Sequence, residues 1–489
     1  MPTDNGNMKS RTLRALVWKL FDQGGLAMVT IIVQVVMARM LDPAEFGVLA
    51  IMLVFVNVGN VLVRSGLNTA LIQSPDTSDD DCSTVFWMCL SISLVLYAAI
   101  FCAAPALARF YDMPTMVWPL RALVLVLVIN SYNSIQEALV SRALEYNKTA
   151  RATIIAGIVS GTAGVASAAA GLGLWALVIQ QVLQQLCKCV VLAAQVPWKP
   201  RLVFDAARAR ELFGFGWKLL VSGVVDQVYQ SLSDLIIGKA FTTSQLGYVS
   251  QGKKYPQYLG QALDGVIQPV MLSTVAHVQA DLGQVKRLVR RALKTSTFLI
   301  VPAMASFAVA ATPIVAVVFG KKWLPSVPFL QMYCVVYALL PIHTTNLQAL
   351  NGMGRSDVFL RLEFIKKGIG LTVLCFTAFV LRDVYAIVAG TLLTNVINTF
   401  VNASPNKHVI GYSYSEQVRD IAPAFLMATA GAAAAWPIGL LGLPNLACAL
   451  LQVAVLLGVY VLLAVLFRVE EFTYLVGTLR DIFAKVRKR

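Results

Sequence analysis

The chain has 489 residues, of which 58% are apolar and 13% charged, and its mean hydropathy is +0.71. A soluble fold of this length cannot hide that much apolar surface, so a globular enzyme is excluded. The net charge of +15 is then a matter of membrane topology, because no soluble domain gathers the basic residues as a nucleic-acid binder would require.

In chain order, runs of about 20 apolar residues recur, each long enough to cross the hydrocarbon core as a helix. They fall near 15–39, 45–64, 83–104, 116–137, 152–171, 173–195, 211–238, 255–276, 295–319, 326–348, 362–380, 384–402, 420–440 and 445–467. The chain is therefore expected to be an all-α integral membrane protein of about fourteen spanning helices. With the N-terminus inside, inner loops and tails hold about 28 of the 40 Lys and Arg residues and outer loops about 9. An even helix count then places both termini in the cytoplasm. Lys9, Arg11 and Arg14 precede an apolar run too long for the core of a cleaved signal.

Leu41-Asp42-Pro43 breaks the chain after the first helix. The stretch from Ser65 to Ser83 reads as a loop carrying Asp76, Asp79, Asp80 and Asp81. Such an acidic run either holds a metal, as in glycosyltransferases, or caps the next helix. Capping is the expectation, since a helix N-terminus favours acids. The stretch from Asp281 to Lys294 reads as a basic loop that attracts anionic headgroups. The eight cysteines lie mostly inside spans, with neither zinc-ligand nor redox spacing. No metal site and no cofactor are expected.

One segment occurs twice. Trp18-Lys19-Leu20 opens an apolar run followed by Gly47, and Trp217-Lys218-Leu219 opens another followed by Gly247. The offsets are about 199 and 200 residues, the mark of an internal duplication. Pro105 with Pro313, and Ser141-Arg142 with Gly354-Arg355, recur at offsets of about 208 and 213, each six helices apart. An even interval keeps both copies in the same direction, so the repeat is parallel. The expected division is a first lobe over 1–196, a basic linker over 197–210 and a second lobe over 211–403. Two further helices cover 404–467, and a basic amphipathic tail covers 468–489.

Polar groups are costly in hydrocarbon and should face a wet cavity or one another. Here they form one-sided stripes on helices of both lobes, which favours a cavity. Gln23, Gln34, Asn57, Asn60, Gln184, Gln230, Gln257, Gln261, Gln268, Asn395 and Asn398 suit a neutral, hydroxyl-rich ligand such as sugar. Lys19, Arg64, Lys188 and Lys218, with Lys366 or Lys367, are candidates to hold phosphate at the inner mouth. Asp22, Glu137, Asp226, Asp234 and Asp264 are candidate proton or cation carriers.

The run Ser65-Gly66-Leu67-Asn68-Thr69-Ala70-Leu71-Ile72-Gln73, followed by Ser83-Thr84-Val85-Phe86-Trp87, resembles the polysaccharide-transporter branch of the MOP exporter superfamily, the Wzx-like flippases. Leu174-Trp175-Ala176-Leu177-Val178, Pro197-Trp198-Lys199-Pro200-Arg201 and Asp234-Leu235-Ile236-Ile237-Gly238-Lys239 are similar to the same family. The resemblance implies two pseudo-symmetric six-helix bundles around a V-shaped cavity, plus two C-terminal helices. It implies a bacterial inner membrane and an undecaprenyl-diphosphate-linked repeat unit moved from cytoplasm to periplasm by alternating access. Exopolysaccharide, capsule or O-antigen would be the product, with a polymerase and co-polymerase as partners beside the membrane lipids. The family has no strict catalytic motif, so no catalytic residue is carried over.

A lipid II flippase or a drug or cation exporter of the same fold is the alternative. A drug exporter would want an acidic, aromatic cavity rather than an amide-rich one. A membrane polymerase or glycosyltransferase would need a sizeable extramembrane domain, and no loop here exceeds about 20 residues.

Overall fold

The computed structural model describes residues 31–73 and 77–477. All regular structure among them is helical, as a chain in lipid requires to pair its backbone N–H and C=O groups within each segment. Eleven helical segments among the described residues are long and apolar enough to cross a membrane. The two longest helices, Ala206–Ala240 and Thr243–Val278, are not among the eleven. Their stripes of Ser, Asp and Gln dilute the apolar run. Lys19, Asp22 and Gln23 lie outside the described residues, as does the tail beyond residue 477.

Two compact units divide the chain, residues 1–250 and 251–489. The first contains α1 (Ile31–Met40), α2 (Pro43–Gln73), α3 (Asp79–Phe110), α4 (Val117–Leu123), α5 (Leu125–Ala143), α6 (Tyr146–Ala169), α7 (Leu174–Gln195) and α8 (Ala206–Ala240). The opening turns of α9 (Thr243–Val278) also belong to it. Within this unit α2 packs along α8 and α5, α3 packs on α5, and α6 pairs with α7.

Part of the stretch expected as a loop before Ser83 is helix. α2 continues to Gln73, because Leu67 and Leu71 are buried one turn apart in the core formed with Val85, Phe86 and Ile135. Its end is capped from outside. Arg142 Nη1 donates to the carbonyls of Leu71 and Ile72 at 2.8 and 3.2 Å, satisfying acceptors that the helix itself leaves open.

The acidic run caps α3, as expected. Ser78 accepts from the Asp81 backbone at 3.1 Å while Asp81 accepts from the Ser78 backbone at 2.9 Å. The same acids anchor the chain between α7 and α8. Arg201 reaches Asp79 and Asp80 at 3.3 Å, Arg208 reaches Asp81 at 3.0 Å, and Trp87 Nε1 donates to the Arg201 carbonyl at 2.8 Å. Trp198 closes the contact, lying 5.8 Å from the Tyr132 ring and 6.2 Å from that of Phe86.

The second unit contains α10 (Leu282–Val309), α11 (Ala311–Val318), α12 (Val327–Ala338), α13 (Leu340–Gly352), α14 (Ser356–Cys375), α15 (Val384–Ala403), α16 (Asn406–Val409), α17 (Tyr414–Ala435) and α18 (Asn445–Leu466). At its centre, α10 packs on α17, α12, α13 and α18. The expected basic loop is helix from Leu282 onward. Asp281 caps it by accepting from the Gln284 backbone at 2.9 Å. Val285, Val289 and Leu293 recur every four residues and bury one face, which carries the helix through the basic stretch.

The basic face of α10 is largely paired within the unit. Arg290 holds Asp420 through two bonds of 2.7 and 2.6 Å, Lys286 meets Glu416 at 3.1 Å, and Lys294 meets Glu471 at 2.6 Å. The span expected over 326–348 lies within one of the eleven, Lys321–Gly352, with an irregular turn at Leu339 where Pro341 in the first turn of α13 supplies no N–H.

Candidate functional site

The first unit carries a polar seam inside three of its packed helices. On α2, Asn57, Asn60 and Arg64 are spaced three and four residues apart and so share a face. On α5 the same spacing aligns Asn130, Asn133 and Glu137, and on α7 it aligns Gln181, Gln184, Gln185 and Lys188. Because α5 packs on both α2 and α7, the three faces meet.

The seam begins with amides. Asn130 Nδ2 donates to Asn60 Oδ1 at 2.8 Å. Asn133 Nδ2 donates to Asn130 Oδ1 at 3.3 Å and to the Gln185 carbonyl at 3.2 Å. One helical turn further along α5 the seam becomes ionic. Arg64 Nη2 donates to Glu137 Oε2, and Lys188 Nζ lies 2.7 Å from Glu137 Oε1. Two cations from two helices therefore converge on one carboxylate of a third, each taking its own oxygen. The side chains of Arg64, Glu137 and Lys188 are 31%, 20% and 18% exposed, so none of the three is sealed inside the helix packing. The thiol of Cys89 on α3 lies beside Arg64.

Helices α5 and α7 also hold buried polar atoms without a protein partner among the described residues. They include Asn133 Oδ1, both polar atoms of Gln136 and Gln180 Oε1. Gln34 Oε1 on α1 is another. An unpaired amide in a membrane interior is expensive unless water or ligand reaches it.

Asn60, Arg64, Glu137 and Lys188 are thus brought together, and Gln184 is half-buried on the same face of α7. The remaining candidates are dispersed. Asn57, Lys218, Gln230, Gln261 and Gln268 are exposed, and Asp234 and Gln257 are half-buried. Asp226 accepts from Gln230 on its own helix at 2.6 Å. In the second unit, Lys366 is paired with Glu363 on its own helix at 2.5 Å, and Lys367 is half-buried and engaged. Thr344 Oγ1 donates to Asp264 Oδ1. Asn395 donates to the Thr391 carbonyl at 2.9 Å, and Asn398 Oδ1 is buried without a partner among the described residues.

Two sets of contacts escaped the sequence reading. Asn133 is the hinge of the amide ladder, and its signal was the three-residue spacing from Asn130. In the second unit, His343 Nδ1 lies 2.9 Å from Asn402 Nδ2. Nearby, Asn346, Asn406 and Gln417 bond to one another at 2.5 to 2.9 Å. A single His in an apolar run gives no periodic signal. No group of His, Cys, Asp and Glu with metal-ligand geometry occurs among the described residues.

A family model described as "Polysaccharide biosynthesis protein" matches residues 36–328. Among similar proteins, the succinoglycan biosynthesis transport protein ExoT of Rhizobium meliloti is 23% identical, over 73% of this chain and 72% of its own. The lipopolysaccharide biosynthesis protein WzxC of Escherichia coli is 23% identical over 84% of each chain. Among solved structures, the lipid II flippase MurJ in an inward closed conformation is similar with a TM-score of 0.76, at 12% identity, over 93% of this chain and 99% of that one. An inward-facing multidrug resistance MATE family transporter of the MOP superfamily gives 0.59 at 14% identity, over 79% and 94%. The likeness to the two structures is one of fold: an all-α membrane protein of the MurJ and MATE kind.

Proposed function

Since this chain belongs to the polysaccharide biosynthesis protein family, we propose that it is a flippase for an undecaprenyl-diphosphate-linked oligosaccharide repeat unit. The repeat unit passes from the cytoplasmic to the periplasmic leaflet of a bacterial inner membrane, for assembly of exopolysaccharide, capsule or O-antigen. The likeness to ExoT, a succinoglycan biosynthesis transport protein, and to WzxC, a lipopolysaccharide biosynthesis protein, supports this reading. The observation that carries it is the convergence of Arg64 and Lys188 on Glu137 next to an amide ladder. Cations inside spanning helices suit a diphosphate, and amides suit sugar hydroxyls.

In this reading the two lobes, 1–196 and 211–403, are joined by the basic linker 197–210 and rock to expose the substrate on alternate sides. Helices over 404–467 and a cytoplasmic tail over 468–489 complete the chain, and both termini are cytoplasmic. The lipid tail stays in the bilayer while the head group crosses. Lys19, Lys218, Lys366 and Lys367 are the further lysines proposed to meet substrate phosphate. Glu137, Asp226, Asp234 and Asp264 are the acids available for ion coupling, with Asp22. The protein performs no covalent chemistry, and a polymerase and co-polymerase of the same pathway take the product. The fold likeness to MurJ keeps lipid II as a second substrate.

The test replaces Arg64 and Lys188 singly by Gln in cells that depend on this chain for surface polymer. Polymer export should fall and the lipid-linked repeat unit should accumulate on the cytoplasmic leaflet, with normal amounts of protein in the membrane. Normal export in both variants removes the ionic seam from the mechanism.

A further inference from the structure

Glu137 occupies its place as a phosphate would. Its two carboxylate oxygens are used separately, one by the Arg64 guanidinium and one by the Lys188 ammonium. Arginine and lysine offer a substrate phosphate the same N–H donors, so carboxylate and phosphate compete for one pair of cations. All three side chains are partly exposed, so the pair is open to exchange with a ligand anion. Among the described residues Arg64 and Lys188 are the charged groups in contact with Glu137. From α3 the Cys89 thiol lies close enough to Arg64 to feel its charge. The helices α4 and α6, also packed on α5, bring no charged side chain into contact with it.

We propose that Glu137 is a resident anion of the phosphate seat. It holds Arg64 and Lys188 in place while no substrate is bound, yields both to the incoming diphosphate, and takes up one proton from water once displaced. The proposal rests on the assignment of Arg64 and Lys188 to the substrate diphosphate. The physical reason for the proton is that a carboxylate deprived of both cations, inside a spanning segment, is strongly disfavoured as an ion. The step forms one O–H bond on the carboxylate, breaks one on the hydronium ion or buffer acid that supplies the proton, and transfers no electrons. Substrate entry and proton entry are thereby linked at one residue, and each round of binding resets when Glu137 regains the cations and releases its proton. The resident anion also keeps stray small anions out of the seat, since any ligand must outcompete a tethered carboxylate.

The experiment titrates symmetrical dimethyl diphosphate, a diester with no proton that titrates near neutral pH, into the purified full-length protein in phosphatidylcholine nanodiscs, by calorimetry in two buffers of different ionisation enthalpy. The wild type should take up about one proton per diphosphate bound. E137Q should bind about tenfold more tightly and take up none. Should E137Q fail to reach the membrane, E137D keeps the charge on a shorter arm and should bind more tightly than wild type. The proton count of the wild type needs no variant, and a count of zero overturns the proposal. The R64Q/K188Q double variant separates the two levels. Undiminished binding there overturns the assignment of the cations to phosphate. Lost binding there, with E137Q no tighter than wild type, leaves that assignment standing and overturns the role of Glu137.

Discussion

Gly47 and Gly247 face each other across the junction of α2 and α9. A methyl group on Gly47 would overlap the Thr243 carbonyl oxygen and lie 3.2 Å from the Gly247 nitrogen. One on Gly247 would overlap the Pro43 carbonyl oxygen and lie 3.3 Å from the Gly47 nitrogen. The contact is reciprocal, and Pro43 with Thr243 and Gly47 with Gly247 are each about 200 residues apart, the interval at which the tryptophan segments recur. Two helix starts approach as backbones here because neither residue has a Cβ.

G47A and G247A are therefore expected to destabilise the fold by about 3 kcal/mol or more each, since a backbone carbonyl in a packed helix cannot move aside as a side chain can. G368A is the control. That glycine lies in α14 with nothing within 4 Å of an added Cβ, so alanine there should be neutral or stabilising by up to about 1 kcal/mol. Thermal unfolding in detergent, followed by the loss of monodisperse protein on size exclusion, separates the two outcomes.

Loss of one charge-assisted contact to phosphate costs about 1.5–3 kcal/mol, or about 10- to 100-fold in binding. R64Q and K188Q should lower polymer export on that scale. K366Q should have a smaller effect, because Lys366 is already committed to Glu363 three residues away. A ranking by quantitative export assay, with membrane levels checked by immunoblot, would reverse only if the second-unit lysine holds the substrate and the seam does not.

The segment between α7 and α8 is pinned to α3 by aromatic rings and an indole bond. W198A removes a buried ring stacked on Tyr132 and should cost about 3–5 kcal/mol. W87F keeps the ring and loses the bond to the Arg201 carbonyl, at about 1 kcal/mol. Limited proteolysis should cut W198A near residues 196–205 and leave W87F close to wild type in rate.

Asp420 is 7% exposed and receives Arg290 through two bonds and Tyr412 through one of 2.7 Å. Removing a buried partner costs about 3–5 kcal/mol, but Arg290 is 53% exposed and recovers water, which lowers the expected cost of D420A to about 1–2 kcal/mol. High salt should weaken the wild type little, since the pair is bidentate and its acid is shielded. A large salt effect on unfolding of the wild type would contradict this.

What the amino-acid order determined by itself is what helical periodicity and hydropathy encode. Apolar runs marked the segments long enough to cross a membrane, three- and four-residue spacing put Asn60 with Arg64 and Asn130 with Glu137, and the acidic run Asp79–Asp81 marked the cap of α3. Patterning was misleading where charge interrupts an apolar face, at Leu282–Lys294, and where a loop-like stretch runs on as helix, at Leu67–Gln73. There the buried side is supplied by other helices, which local sequence does not contain.

Tertiary structure alone decided which polar faces meet. Arg64 and Glu137 are separated by 73 residues, and Lys188 lies on a third helix. A stripe fixes the angle of a side chain about its own axis and says nothing of the neighbour it faces. That choice is made when the helices pack, and it depends on small residues and buried rings spread over the whole unit.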